Sequence, residues 1–179
     1  MLVDLVSNFS AIMNAHNVSY WVDSGTLLGA VRHRGLIPYD QDSDFGIDED
    51  AYEYIRDNRI EVPAPYVLHV WNSSVNDPGH RDDGIPIRLI NGDSGLYSDV
   101  FVFLRGKDRN GRPMMGPIPS GCFGGCVHCQ CINRKKHFEI PSDWIYPVVP
   151  CKFAHLNVSC PREFKYLKFM FGDDYLRPQ

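Results

Sequence analysis

Leu2, Val3, Leu5, Val6, Phe9, Ile12 and Met13 recur at helical spacing, so about the first fifteen residues are predicted as an amphipathic helix. Val18 to Val22 then reads as a strand, Asp23-Ser24-Gly25 as a turn, and Thr26 to His33 as a short helix whose amino terminus faces the turn. Ile37-Pro38-Tyr39 leads into an acidic strand in which Asp42 and Asp44, two residues apart, share one face. Asp48-Glu49-Asp50 suits a helix start for Ala51 to Asn58. Tyr66 to Trp71, Ile85 to Ile90 and Ser98 to Leu104 are rich in Val, Ile and aromatics and are predicted as strands. Pro86 implies that the second of these is an edge strand or begins late.

Gly and Pro are dense from Gly106 to Gly125, which predicts a long surface excursion rather than a linker, because sheet-like and helical segments resume beyond it. A last helix is expected from a cap at Ser159 or Cys160, with Pro161 in its first turn, apolar contacts from Phe164, Leu167, Phe169 and Phe171, and Gly172 as its stop. No internal repeat is present. This length predicts one domain spanning 1–179, with the excursion at about 106–137.

With 179 residues, 44% hydrophobic and 22% charged, the chain has the make-up of an ordinary globular domain with a sizeable core. A net charge of -4 provides no basic face for tracking a nucleic-acid backbone. No apolar run approaches the roughly 18 residues needed to cross a bilayer, and Met-Leu-Val-Asp-Leu lacks the basic flank of a signal peptide, so the chain as it stands is expected to be soluble, with an anchor left open for a longer form. Four of the ten asparagines, Asn8, Asn17, Asn72 and Asn157, begin Asn-X-Ser sequons where about one is expected by chance. The excess favours a secretory lumen, with the Golgi as the expected compartment, and six cysteines fit disulfides there or thiols and metal ligands in a reducing compartment.

The chemistry concentrates between Gly25 and Asp44. Carboxylates about 4 Å apart repel by about 4 kcal/mol at an effective dielectric near 20, a cost met by protonation or by a cation. A solvated acidic turn is the ordinary alternative for Asp40, Asp42 and Asp44. A calcium loop of the EF-hand kind is excluded, because Phe45 stands where it needs glycine and Ala51 where it needs the closing glutamate. Gly25-Thr-Leu-Leu-Gly-Ala-Val-Arg followed by Gly35-Leu-Ile-Pro-Tyr-Asp-Gln-Asp-Ser-Asp resembles the LicD/fukutin family of phosphotransferases. Tyr97-Ser-Asp-Val-Phe, Tyr146-Pro-Val-Val-Pro and the ending Pro161 to Pro178, with Phe171-Gly-Asp and Tyr175, resemble it too.

The resemblance implies an α+β fold, a mixed sheet with flanking helices like that of polymerase-β-type nucleotidyltransferases, and a metal-dependent transferase. Its expected reaction moves a phospho-alcohol, of the ribitol phosphate or phosphocholine type, from a CDP-activated donor to a glycan hydroxyl. Asp42, Asp44 and Asp99 are the implied catalytic ligands of Mg²⁺ or Mn²⁺, with Asp99 also a possible base and Asp40 beside them. Gly25 and Thr26 are candidates to face phosphate at a helix amino terminus. Arg32 is expected to reach the donor's phosphates or to pair with an acid such as Asp40, and Arg88 and Lys152 are weaker candidates for phosphate binding. The rivals are a true nucleotidyltransferase releasing pyrophosphate, and a catalytically silent module that keeps the fold to bind a glycan or protein. Cys122, Cys126, Cys129 and Cys131, with His128 and His137 nearby, allow a structural zinc, two disulfides or free thiols, and Cys151 and Cys160 are expected to add a further bridge.

Overall fold

The computed structural model describes residues 1–38, 40–78, 85–118, 130–132 and 135–177. Helix α1 (Leu2–Ala15) buries Leu2, Leu5, Val6, Phe9, Ile12 and Met13, the stripe that the sequence pattern marks out. It is followed by β1 (Trp21–Val22), α2 (Ser24–His33), β2 (Asp42–Asp48), α3 (Glu49–Asp57), β3 (Tyr66–Val70), β4 (Ile87–Asn91) and β5 (Tyr97–Lys107). Next come β6 (Pro113–Pro117), β7 (Gln130–Ile132), β8 (Lys135–His137), β9 (Ile140–Pro141), β10 (Val149–Phe153), β11 (Leu156–Cys160) and α4 (Lys165–Phe171).

The main sheet runs β1-β2-β5-β4-β3, with β6 and β9 added beyond β5, so it is mixed and the chain is α+β. β2 and β5 are parallel, whereas β1 on β2, β4 on β5 and β3 on β4 are antiparallel. β5 begins beside β4 and ends beside β6, which makes it the central strand. One face of this sheet is apolar. Phe45 packs against Phe9 of α1 with ring centroids 4.1 Å apart, and Tyr20 closes edge-on over both rings. Ser43 and Ser98 are fully buried on the same face because their hydroxyls satisfy each other at 2.6 Å. The period of two then directs Asp42, Asp44, Tyr97 and Asp99 to the opposite face.

That second face narrows toward Trp21, which is buried edge-on against Phe103 and Tyr146. A Cβ on Gly46 would lie 2.1 Å from the indole, so this position admits only glycine unless Trp21 moves. Asp48 ends β2 and caps α3, accepting the Ala51 N–H at 3.0 Å. It also accepts from the Tyr146 hydroxyl at 2.7 Å and from Arg105 at 2.6 Å, three donors that hold its carboxyl below the usual range despite burial.

Several expected boundaries move. α2 begins at Ser24 rather than Thr26, and β1 keeps only two of the five residues expected. β4 begins late, at Ile87, as Pro86 requires, yet it lies inside the sheet between β5 and β3. The glycine- and proline-dense stretch opens as a hairpin, since β5 continues to Lys107 and pairs with β6. Gly116 fits there because a Cβ would meet the Phe138 carbonyl at 2.0 Å. The last helix starts at Lys165, not at Cys160, because residues 156–160 pair with β10 instead. Gly172, at φ 85°, stops it as expected. Cys151 and Cys160 form a disulfide across the β10–β11 hairpin. Cys122, Cys126, Cys129 and His128 lie outside the described residues, as do the side chains of Cys131 and His137.

Candidate functional site

The parallel register of β2 and β5 sets Asp42 opposite Tyr97 and Asp44 opposite Asp99. Antiparallel pairing then sets Asp99 opposite Arg88, and Arg88 opposite His69. A row of polar side chains, Asp44, Asp99, Arg88 and His69, therefore crosses four adjacent strands. It ends at His69, whose Nε2 lies 3.6 Å from Asp77 Oδ2.

The amino terminus of α2 is fastened to this row. The Asp23 N–H donates to the Asp44 carbonyl at 2.9 Å, and the Asp44 N–H donates to the Thr26 hydroxyl at 2.8 Å. The Gly25 N–H donates to Asp44 Oδ2 at 3.1 Å. The helix dipole and its free N–H groups thus face the Asp44 carboxylate. A Cβ on Gly25 would come within 3.3 Å of Asp44 Oδ2 and 3.5 Å of Asp40 Oδ2, so glycine lets the helix approach both carboxylates. Ser24, between the cap and Gly25, has φ 44°, a left-handed conformation that a non-glycine residue adopts at some cost.

Negative charge is in excess here. Asp44 keeps a little exposed surface although its surroundings are almost wholly protein. Burial, then Asp42, Asp23, Asp99 and Asp40 in that order, raise its pKa well above the ordinary range. Asp40 is raised by burial and then by Asp42. Asp23 is fully buried and is pushed up to about 6, chiefly by burial. The Tyr166 phenol of α4 lies close enough to offset part of that rise, but neither carboxylate oxygen of Asp23 makes a hydrogen bond of good geometry to a described residue.

Asp99 is answered locally. Its Oδ1 accepts from Arg88 Nε at 2.6 Å, and the Arg88 guanidinium lies over the Tyr97 ring, 4.4 Å from its centroid. Among the described residues no three His, Cys, Asp or Glu side chains converge closely enough to hold a metal ion. The donor set nonetheless suits a hard divalent cation, because its ligands are all carboxylate oxygens and their uncompensated repulsion is what such a cation would relieve.

The remaining expected residues are placed as follows. Thr26 is buried and its oxygen is taken up by the Asp44 N–H, so it joins α2 to β2. Arg32 does not pair with Asp40; its Nη1 donates to the Tyr175 carbonyl at 3.4 Å and its Nε to His33. Lys152 lies exposed on β10, outside the main sheet, and its side chain makes no hydrogen bond or ion pair to a described residue. Sequence reasoning missed Asp23, Tyr166 and Tyr97. Asp23 was legible as the residue between the buried Trp21-Val22 pair and the Ser24-Gly25 turn, where a carboxylate meets a helix start.

The model of the family described as LicD/FKTN/FKRP, nucleotidyltransferase domain, matches residues 17–163. An uncharacterized protein of Rickettsia typhi is 33% identical over 160 residues, covering 89% of this chain and 41% of that protein. The human ribitol 5-phosphate transferase FKRP is 26% identical over 166 residues, 90% of this chain and 29% of its own length. The lipopolysaccharide cholinephosphotransferase LicD of Haemophilus influenzae is 37% identical over 51 residues, 28% of this chain and 19% of that protein. The chain thus spans less than half the length of these relatives.

Proposed function

The chain belongs to the LicD/FKTN/FKRP family, and from that premise and its clustered carboxylates we propose that it transfers a phospho-alcohol from a CDP-activated donor to a glycan hydroxyl. The observation that carries the reading is the environment of Asp44: a carboxylate at a helix amino terminus, forced up in pKa by burial and by four neighbouring acids. That state is costly for a structural residue and useful for one that holds a cation. The activities of two relatives, ribitol 5-phosphate transfer and cholinephosphate transfer, support a phospho-alcohol as the group moved.

Asp42, Asp44 and Asp99 would hold Mg²⁺ or Mn²⁺, which when bound supplies charge neutralisation at the diphosphate. Gly25 fixes Asp44 from the α2 terminus, and Thr26 fixes the strand that carries it. A carboxylate of the cluster takes the proton of the acceptor hydroxyl as its oxygen bonds to phosphorus; the bond from that phosphorus to the CMP oxygen breaks, and CMP leaves. Asp99, facing Asp44 from the parallel strand, is the candidate base. We also propose a secretory-lumen location; Asn17, Asn72 and Asn157 are exposed, whereas the Asn8 amide is bound to the Asp4 carbonyl and the Tyr66 hydroxyl.

Incubation with CDP-ribitol or CDP-choline, Mn²⁺ and a glycan acceptor, followed by phosphorus NMR, tests the reaction. CMP formation that depends on Asp42 and Asp44 is expected. Pyrophosphate from a nucleoside triphosphate and a sugar phosphate, with no CMP from either donor, would select the nucleotidyltransferase reading instead. CMP appearing equally from Asp42→Asn protein would refute the role of Asp42 at the metal and leave the donor standing.

A further inference from the structure

Arg88 occupies a particular place among the candidate ligands. It is a strand neighbour of Asp99, which is itself the strand neighbour of Asp44, so the guanidinium lies in register with the proposed ligands. Its ion pair with Asp99 is short, at 2.6 Å, and the Asp99 side chain is only 10% exposed, so solvent does little to weaken it. Tyr97, the strand neighbour of Asp42, supplies the ring on which the guanidinium rests. The third carboxylate of the cluster is thus already held by a cation that the chain itself provides, while Asp42 and Asp44 face each other's charge.

We propose that Arg88 is an exchangeable counter-ion: it neutralises Asp99 in the metal-free protein and gives the carboxylate up when a divalent cation is bound. This rests on the metal-dependent reading above. It accounts for two observations together, the Asp99 carboxylate turned to Arg88 and the lack of three convergent ligands in the structure described. Tyr97 gives the released guanidinium a surface to stay on, so Arg88 remains beside the site as a positioning residue.

The test is Mn²⁺ affinity, read from the free-ion electron paramagnetic resonance signal of the whole chain without any donor. Arg88→Met should tighten Mn²⁺ binding about tenfold, the scale on which one charge-assisted pair competes for a carboxylate. Arg88→Lys, which keeps the charge and loses the planar stack, should fall between Arg88→Met and the unmodified protein. Equal or weaker binding by Arg88→Met, with saturable binding by the unmodified protein, would overturn the exchange and leave the metal reading standing. No saturable binding by either would overturn both.

Should Arg88→Met fail to fold, the unmodified protein still decides the matter. The Arg88 Nε–H resonance, identified by its loss in Arg88→Lys, should sit at a hydrogen-bonded shift and move away from it as Mg²⁺ is added. A resonance unchanged at saturating Mg²⁺ would refute the exchange.

Discussion

Replacing Asp23 by Asn removes a fully buried carboxyl whose pKa rises from 3.8 to about 6. A carboxyl raised in the folded state binds its proton more tightly there than in the unfolded chain. Its stabilisation is therefore fully present below the unfolded value and lost as pH rises through the folded one. With these two values the contribution falls by about 1 kcal/mol between pH 5 and pH 7.5, and by about 2 kcal/mol if the lower point is pH 4. Asn keeps the shape and does not titrate, and any fixed cost of burying its amide is the same at every pH. Urea unfolding of both proteins in chelator at the two pH values gives the comparison. The stability of the unmodified protein minus that of Asp23→Asn should drop by about 1 kcal/mol from pH 5 to pH 7.5. A difference that stays flat within about 0.5 kcal/mol, or that rises, would refute the assignment of a buried Asp23 carboxyl with a raised pKa.

Other substitutions probe the sheet and the site separately. Asp42→Asn or Asp44→Asn should abolish CMP release while the melting temperature is held or raised, since each removes a repelling charge; normal turnover in either would sink the ligand assignment. Gly46→Ala should cost about 1–3 kcal/mol in urea unfolding, because the new methyl enters the Trp21 indole, and an unchanged midpoint would show that the ring yields freely. Cys151→Ser should cost about 2.5 kcal/mol in urea unfolding, the closure entropy of a loop with its ends 9 residues apart, and an unchanged midpoint would show that the bridge does not hold the fold.

Much of the scaffold was legible because its signals are local. The α1 stripe is a period of 3.6, the Asp42-Ser43-Asp44-Phe45 alternation is a period of two, and Asp48 caps α3 with its own side chain. What escaped depends on pairing between distant segments. β11 extends through Cys160 because β10 offers it a partner, which overrides the helix start that Pro161 suggests. β6 was hidden in a stretch whose glycines and prolines read as loop, although Gly116 is needed for the close approach of Phe138. In the candidate site, Asp42 and Asp44 were singled out from their spacing and Asp99 from the family resemblance, and parallel pairing brings Asp44 beside Asp99. Asp23 and Tyr166, 143 positions apart in the chain, meet only through the packing of α4 against α2, and no local pattern announces that.

The central claim is that these carboxylates form a metal-assisted CDP-alcohol site. It is tested most directly by thermal unfolding with CDP-ribitol, CDP-choline, CDP-glycerol or CMP, each with and without Mn²⁺, in the unmodified protein and in Asp42→Ala. The account predicts stabilisation by at least one CDP-alcohol that requires Mn²⁺ and is lost in Asp42→Ala. No shift with any cytidine ligand, or a shift of the same size without metal or without Asp42, would contradict it.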